Sequence, residues 1–300
     1  MSARPLISVV MPTFNRVRYL EAAVSSVNAQ TFDDWELIIV DDGSDEETRR
    51  YLSSLASSRT TVEFHSRTGV PAVARNRGIT RARGKYVAFI DSDDQWAVDK
   101  LRRQLATMES TPARRWSYSA VRRIDLHGNV IREPPSVPWQ PHSGWILEQL
   151  LRIDAQVAMP SVMAELDLVR EVGGFDERLR FIEDYDLWSR FAMRSEVSVD
   201  PAPLADVRNH PEQFTWDRVG RLSGWTQYYA KMEGLVATRS LKAYCRRRKR
   251  EHVLLVAAAQ ARVRDWTGMR NSLATALRAH ALSPLGWLRV AKAAAFSIRS

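Results

Sequence analysis

The sequence has only one cysteine, Cys245, among its 300 residues. A single cysteine cannot form an internal disulfide, and it excludes a zinc site built from cysteine ligands. The apolar runs are far shorter than the roughly 20 residues that a membrane-spanning helix needs. Residues 1–5 lead directly into a strand pattern, without the apolar segment of a secretory signal peptide. We therefore expect a cytoplasmic protein.

Acidic residues are scarce in the C-terminal part of the chain. Residues 239–300 contain 14 Lys and Arg but only two Asp and Glu, a charge of +12, whereas the whole chain carries +9. Residues 1–238 are therefore slightly acidic, at −3. A nucleic-acid-binding protein would concentrate basic residues around its binding site, so we expect no nucleic-acid partner.

Strand and helix patterns alternate in the first 110 residues. Asn15 is a candidate helix cap, Ser44 and Glu47 have the spacing of a capping box, and Pro71 suits the first turn of a helix. This alternation predicts an α/β fold with parallel strands joined by helical crossovers. Apolar runs of strand length lie at residues 6–11, 35–40, 61–65 and 86–90.

The pattern becomes mixed after residue 110. We predict strands at residues 116–121, 130–133 and 157–163, a proline-rich loop at 134–141 and a helix at 184–194. Residues 201–216 hold three prolines and predict a loop. We interpret residues 211–217 as a lid that closes over a ligand. From residue 219 onward the chain is predicted to be helical.

Three acidic clusters directly follow apolar runs: Asp41 and Asp42, then residues 91–94, then Glu183 and Asp184. The first two clusters lie at the carboxyl ends of predicted strands, which is the edge of an open α/β sheet where ligands bind. Crowded carboxylates repel one another unless a cation lies among them, and a hard divalent metal with a phosphate ligand suits them. The alternative is that these acids only cap turns and helices.

Six segments, in order, resemble the family 2 glycosyltransferases. They are SVVMPTFNR (residues 8–16), IIVDDGSDE (38–46), ARNRGI (74–79), GKYVAFIDSDD (84–94), VGGFDE (172–177) and EDYDLW (183–188). The resemblance covers about residues 5–210 and implies a GT-A fold that uses nucleotide-diphosphate sugars. It implies a GT-A domain at 1–215, with a nucleotide-sugar-binding half (1–110) and an acceptor-binding half (111–215), and a basic helical extension at 216–300.

The resemblance assigns the donor site to residues of the first half. Pro12, Phe14 and Asp42 would surround the nucleotide base and ribose, because an aromatic ring offers a stacking face and a carboxylate accepts N–H or hydroxyl groups. Arg75, with Asn76, would line the donor site, and Asp91 would contact the ribose or a metal-bound water. Core packing of Phe14 and an exposed helix face for Arg75 are the open alternatives.

The resemblance also implies a divalent metal, Mg²⁺ or Mn²⁺. The residues 91–93 resemble the DxD element, with Asp93 as the direct ligand and Asp91 beside it, while His210 would complete the shell. The alternative for His210 is a structural or exposed histidine. Val98 stands where the family pattern has proline.

Asp184 resembles the catalytic base, which accepts the proton of the acceptor hydroxyl. A single base implies one in-line displacement with inversion, since retention by double displacement needs a second carboxylate as the nucleophile. Glu183 is the second candidate base. The alternative is that Asp184 only caps the following helix.

The sequence therefore predicts an inverting, metal-dependent transferase of one sugar, UDP-linked by resemblance, to a glycan or lipid-linked acceptor. Seven basic residues between positions 239 and 250 predict either a solvated helix face or contact with an anionic membrane at its cytoplasmic side. Other readings are a degenerate transferase domain acting as a scaffold, or a sugar-1-phosphate nucleotidyltransferase. A processive synthase would need membrane helices.

Overall fold

The computed structural model describes residues 4–131, 139–210 and 217–279, which fall into two compact units. The first unit comprises residues 4–178 and 183–210, and the second comprises residues 179–182 and 217–279. The predicted domain boundary between residues 215 and 216 stays a prediction. The predicted loop at 201–216 is wrong for residues 201–208, which belong to a strand that begins at Val197. Pro201 and Pro203 are accommodated there because the register of the strand pairing shifts at this point. Residues 211–216 of the predicted lid lie outside the described residues, as do residues 134–138 of the predicted loop at 134–141.

The first unit alternates strands and helices along most of its length, as the apolar runs predict. In chain order it contains β1 (Ile7–Thr13), α1 (Val17–Asn28), β2 (Trp35–Asp41), α2 (Glu46–Ser54), β3 (Thr60–Phe64), α3 (Pro71–Arg81), β4 (Tyr86–Phe89), β5 (Gln95–Trp96), α4 (Lys100–Glu109), β6 (Trp116–Ile124), α5 (Leu147–Arg152), a 3₁₀ turn (Met159–Ser161), β7 (Met163–Glu165), α6 (Leu166–Glu171), α7 (Glu183–Ala192) and β8 (Val197–Arg208).

The strands form one mixed sheet in the order β3-β2-β1-β4-β7-β6-β8-β5. β1 pairs in parallel with β2 and β4, and β2 pairs in parallel with β3. β7 is antiparallel to both β4 and β6, so β6 and its parallel neighbour β8 run in the same direction as β1. The carboxyl ends of β1, β2, β4 and β8 therefore meet at one edge, and the predicted α/β fold is confirmed.

Each face of the sheet buries its own apolar core, because successive side chains of a strand point to opposite faces. Val10 lies in one core with Phe89 and Trp188. Val9 and Met11 lie in the other core with Leu20. Strands buried on both faces explain why their sequences are continuous apolar runs and do not alternate with polar residues.

Two predicted helix caps are wrong by one residue. Asn15 does not cap α1: it has a positive φ of 49°, and Arg16 occupies the N-cap position. Asp45, and not Ser44, caps α2 by accepting the N–H of Thr48 at 2.9 Å. Asn15 and Ser44 instead join the loop after β1 to the loop after β2. The Asn15 N–H donates to Ser44 Oγ, and the Asp45 N–H donates to Asn15 Oδ1.

Two predicted strands in the second half are also mostly wrong. Residues 159–161 form a 3₁₀ turn, and the strand spans only Met163–Glu165. Pro160 has no N–H to donate to a neighbouring strand, which explains the difference. Within the predicted strand at 130–133, Val130 makes a single bridge to Ile124, and residues 132 and 133 lie outside the described part.

The second unit contains three helices within its described residues: α8 (Arg218–Leu235), α9 (Arg239–Arg262) and α10 (Trp266–Ala279). Asp217 caps α8 and Thr238 caps α9 by accepting backbone N–H groups. The helical prediction for the tail is confirmed over these ranges, whereas its last segment, from residue 280, is not described. No helix among the described residues has both the length and the apolarity to cross a bilayer.

Candidate active site

The predicted base-binding residues lie where β1 and β2 end. Phe14 is half-buried and belongs to neither core, and its ring lies beneath the guanidinium of Arg67, 3.1 Å from the ring centroid. The core-packing alternative for Phe14 is therefore wrong. Pro12 lies opposite Val40 in the parallel register of β1 and β2.

Asp42 is held by a short loop at residues 67–69. Its carboxylate accepts the N–H groups of Thr68 and Gly69 at 2.9 and 2.8 Å, and the Thr68 hydroxyl at 2.8 Å. Gly43 allows the loop to pass, because it has a φ of +82° and a Cβ there would lie 2.6 Å from the backbone nitrogen of Arg67. The neighbouring Asp41 accepts the N–H of Ser44, as expected of a turn cap, and its Oδ2 lies 3.9 Å from Arg49 Nε. Sequence reasoning missed Arg67 and Thr68, which belong to none of the six segments.

Arg75 joins two acidic clusters that lie far apart in the sequence. Its guanidinium donates to Asp91 Oδ1 at 2.7 Å and to Glu183 Oε1 at 2.8 Å, and its side chain is 6% exposed. Burial disfavours the charged guanidinium, but the two carboxylates prevail and raise its pKa. The exposed-face alternative for Arg75 is wrong, and this contact brings the donor-side acids and the predicted catalytic base together.

Asn76, the next residue of α3, holds the segment that precedes α7. Its Nδ2 donates to the Phe175 carbonyl, and its Oδ1 accepts the Phe175 N–H, both at 2.9 Å. Gly174 has a φ of +67°, and a Cβ there would lie 2.7 Å from Asn76 Oδ1. The segments ARNRGI (residues 74–79) and VGGFDE (172–177) therefore contact each other directly, through Asn76 and the backbone of Phe175.

Asp93 and His210 meet beyond the ends of β4 and β8. His210 Nε2 lies 2.8 Å from Asp93 Oδ2, and Arg16 Nη2 lies 3.8 Å from the same oxygen. Burial opposes ionisation of Asp93, but the His210 hydrogen bond and the Arg16 charge prevail and lower its pKa. The solvent-exposed alternative for His210 is wrong, since its side chain is fully buried.

Arg208 fixes the backbone around Asp93 and Asp94. Its Nε donates to the Asp93 carbonyl at 2.9 Å, and its backbone N–H donates to Asp94 Oδ1 at 3.0 Å. Burial, together with the charges of Asp93 and Asp91, raises the pKa of Asp94 well above its usual value. This crowding of carboxylates is costly in the absence of a further cation.

Glu183 and Asp184 form the first turn of α7. Asp184 Oδ1 accepts the N–H of Tyr185 at 2.7 Å. Burial raises the pKa of Asp184, with the Tyr185 N–H and Arg75 opposing and Asp91 adding to the rise. Burial also raises the pKa of Glu183 to about 7, opposed by Arg75 and increased by Asp184. Both groups are therefore better proton acceptors than a solvated carboxylate.

The residues suit a metal that is bound mainly by its substrate. Within the described ranges no three His, Cys, Asp or Glu side chains converge as a closed metal cage. Mg²⁺ and Mn²⁺ do not require one, because one or two carboxylates plus substrate phosphates and water complete their shell. Asp93 and His210 offer an oxygen and a nitrogen at one point, while Asp91 is engaged by Arg75. Metal ligation by these three residues stays a prediction.

The architecture defines the class of this protein. The structure of S. aureus TarS in complex with UDP-GlcNAc superposes with a TM-score of 0.72 at 16% identity, covering 91% of this chain and 81% of that chain. This likeness shows that the fold is the GT-A fold.

The family follows from the sequence. Residues 8–144 match the sequence profile of glycosyl transferase family 2, and the chain belongs to this family. WcaA of Escherichia coli (strain K12), assigned as a glycosyl transferase of colanic acid biosynthesis, is 29% identical over 77% of this chain and 82% of its own length. An uncharacterized glycosyltransferase of Rickettsia felis is 35% identical over 67% of this chain, which spans only 33% of that protein.

Proposed function

We propose that this chain transfers one sugar from a UDP-sugar to a hydroxyl of a glycan or lipid-linked acceptor, in the synthesis of a bacterial surface polysaccharide. The Arg75 bridge between Asp91 and Glu183 is the observation that carries the proposal, because it joins donor-side acids to the base-side acids. Family membership supports transfer, the UDP-GlcNAc complex of TarS supports the carrier, and WcaA supports the pathway class.

The base and ribose of the donor are held by Pro12, Phe14 and Asp42. Asp42 already accepts three close hydrogen bonds, and its longest contact is the 3.4 Å approach of Arg67 Nη1. This contact is therefore the one that a donor base replaces. Arg67 then leaves the face of Phe14, and the base stacks on the ring.

Asp93 and His210, with Asp91 beside them, would hold Mg²⁺ or Mn²⁺. When bound, the cation supplies positive charge that stabilises the departing nucleoside diphosphate. Arg16 lies 3.8 Å from Asp93 and adds a fixed positive charge at the same point.

Asp184 accepts the proton of the acceptor hydroxyl while the oxygen attacks the anomeric carbon, and the configuration inverts. Its raised pKa favours this role, because a carboxylate that is costly to ionise binds a proton more readily. Burial raises the pKa of Glu183 and Arg75 opposes this rise, and the contact with Arg75 positions the first turn of α7.

The test is turnover and binding in Asp184→Asn. We expect UDP release from UDP-GlcNAc or UDP-glucose, with Mn²⁺ and an acceptor panel, to fall by about 100-fold or more, since general base catalysis contributes about that factor. UDP binding, followed by thermal shift, is expected to remain. Exposed Asp167 on α6 provides the control variant Asp167→Asn. Unchanged turnover in Asp184→Asn contradicts the assigned base and favours the scaffold alternative.

A lipid-linked acceptor would place the protein at the cytoplasmic side of a membrane. We propose that the basic second unit contacts anionic lipid peripherally at this membrane.

A further inference from the structure

The basic residues in the middle of α9 are largely used inside the second unit. Arg246 and Lys249 both contact the carboxylate of Glu233 at 2.7 Å, one to each oxygen. Arg248 contacts Glu251 at 2.8 Å. This part of the charge run, which the sequence suggests as a membrane contact, is therefore partly neutralised by the unit itself.

The corner between α9 and α10, which we define as residues 262–266, is a tightly built turn. Arg264 has a positive φ of 58°, and the Asp265 N–H returns to the Gln260 carbonyl at 2.9 Å. Asp265 Oδ1 accepts the N–H of Gly268 at 2.9 Å. A Cβ at Gly268 would lie 2.0 Å from Asp265 Oδ2, so a larger residue there would displace the Asp265 side chain. The side chains of the corner are thus displayed by a fixed backbone.

This corner displays two large apolar side chains between cations. Val263 is 66% exposed and Trp266 is 51% exposed. Arg262 and Arg264 flank Val263, are exposed, and form no ion pair with any residue in the described part of the chain. The one acidic side chain, Asp265, is engaged by the N–H at the start of α10.

We propose that the corner at residues 262–266 is a docking site for the surface of an anionic lipid bilayer. Trp266 and Val263 enter the interfacial layer, where tryptophan is favoured because its ring is apolar and its N–H is polar. Arg262 and Arg264 contact the headgroup phosphates, and each cation near an anionic surface adds to the attraction. The docking site gives a specific location to the membrane contact in the proposed function. Only its biological purpose rests on that function.

The positive charges of the corner favour an anionic bilayer over a second copy of this chain as the binding partner. A symmetric dimer through the corner would gather Arg262 and Arg264 of both copies at one interface, with only Asp265 of each copy to offset them, and crowded like charges are unfavourable. An anionic bilayer complements the cations and accepts the apolar pair at the same time.

The experiment is co-sedimentation of the full chain with vesicles, which requires no turnover. Vesicles of phosphatidylglycerol and phosphatidylcholine are compared with vesicles of phosphatidylcholine alone. We expect the double variant Val263→Ser/Trp266→Ala to bind anionic vesicles about 10-fold more weakly. The charge variant Arg262→Glu/Arg264→Glu is expected to lose at least about 10-fold and most of the salt dependence. Thermal unfolding of both variants establishes that the fold is retained.

The matched control is Trp145→Ala, which removes a 61% exposed tryptophan from the first unit. Its vesicle binding is expected to match wild type within about two-fold, as for a change outside the docking site. The proposal is overturned if wild type binds no anionic vesicles, if it binds neutral vesicles equally well, or if both corner variants bind like wild type. Sedimentation equilibrium provides a further test. If wild type is a dimer and the variant Val263→Ser/Trp266→Ala is a monomer, the corner serves self-association and the proposal is overturned. Loss of transferase activity alone leaves the vesicle result unaffected, so the two hypotheses fail separately.

Discussion

Replacing Glu183 with glutamine should stabilise the fold while impairing the proposed reaction. The carboxylate of Glu183 is 12% exposed and lies beside Asp184, and a single guanidinium, that of Arg75, faces both Glu183 and Asp91. After the substitution Arg75 keeps its 2.7 Å contact with Asp91, so no buried cation is left unpaired. Removing one of several crowded negative charges is therefore expected to be favourable.

The pKa of Glu183 sets the sign and size of this effect. Burial raises that pKa from 4.5 to about 7, with Arg75 opposing and Asp184 contributing. The folded protein therefore binds the proton more tightly than the unfolded chain, and wild type loses stability as the pH rises from 4.5 to 7. Each pKa unit corresponds to about 1.4 kcal/mol, so the rise from 4.5 to about 7 gives an upper limit of about 3.5 kcal/mol above pH 7. We expect Glu183→Gln to gain about 1 to 3 kcal/mol at pH 8 and close to nothing at pH 4.5.

Urea unfolding followed by circular dichroism at pH 4.5, 6 and 8 measures this difference. Glu148→Gln is the matched control, because Glu148 is exposed and pairs with Arg152 one turn away. We expect the control to change the free energy of unfolding by less than about 0.5 kcal/mol at every pH. A Glu183→Gln protein that is less stable than wild type at pH 8, or a difference that does not grow with pH, would refute the reasoning.

Two further predictions concern the contacts that support the site. Asn76→Ala removes two hydrogen bonds and leaves the buried N–H and carbonyl of Phe175 unpaired. We therefore expect urea unfolding to show about 2 to 4 kcal/mol of destabilisation, and turnover to be lower than in the control variant Thr80→Ala. An unchanged unfolding midpoint would contradict this prediction. Lys100 is fully buried, and its Nζ donates to Gln104 Oε1. No carboxylate among the described residues pairs with it, and burial lowers its pKa from 10.5 to about 7. The unfolded chain keeps the Lys100 proton up to a pH of about 10.5, so the stability of wild type should rise between pH 7 and 10. Lys100→Met should remove this rise and increase the free energy of unfolding by about 1 to 3 kcal/mol at pH 7. A rise that persists in Lys100→Met shows that another group causes it.

The sequence predicts the sheet edge well, because continuous apolar runs mark strands that are buried on both faces and the acids directly follow them. Asp93 and His210 were both expected at the metal position, and the parallel direction of β4 and β8 explains why residues more than 100 positions apart meet there. The bridge made by Arg75 was not predictable in the same way. Its two partners come from separate segments, and no local pattern states which of several nearby arginines will reach both.

The incorrect caps have a similar physical origin. Asn15 and Ser44 have the residue types and spacings of helix caps, but the loops after β1 and β2 lie side by side and use these groups to bind each other. Local propensity is a weak guide wherever two loops can exchange hydrogen-bond partners. The ligand-binding and catalytic roles of the site residues stay predictions. These residues are Pro12, Phe14, Asp42, Asp91, Asp93, Asp184 and His210.

We propose that Asp93, with His210, supports metal-dependent binding of a sugar nucleotide at the carboxyl edge of the sheet. Isothermal titration of UDP-GlcNAc and UDP-glucose with and without Mn²⁺, into wild type and Asp93→Asn, tests it most directly. We expect Mn²⁺ to tighten binding to wild type by about 10-fold or more and to leave Asp93→Asn nearly unaffected, because Asp93 would hold the cation, whose charge would favour the diphosphate. Equal binding with and without Mn²⁺ in wild type, or an undiminished Mn²⁺ effect in Asp93→Asn, would contradict it.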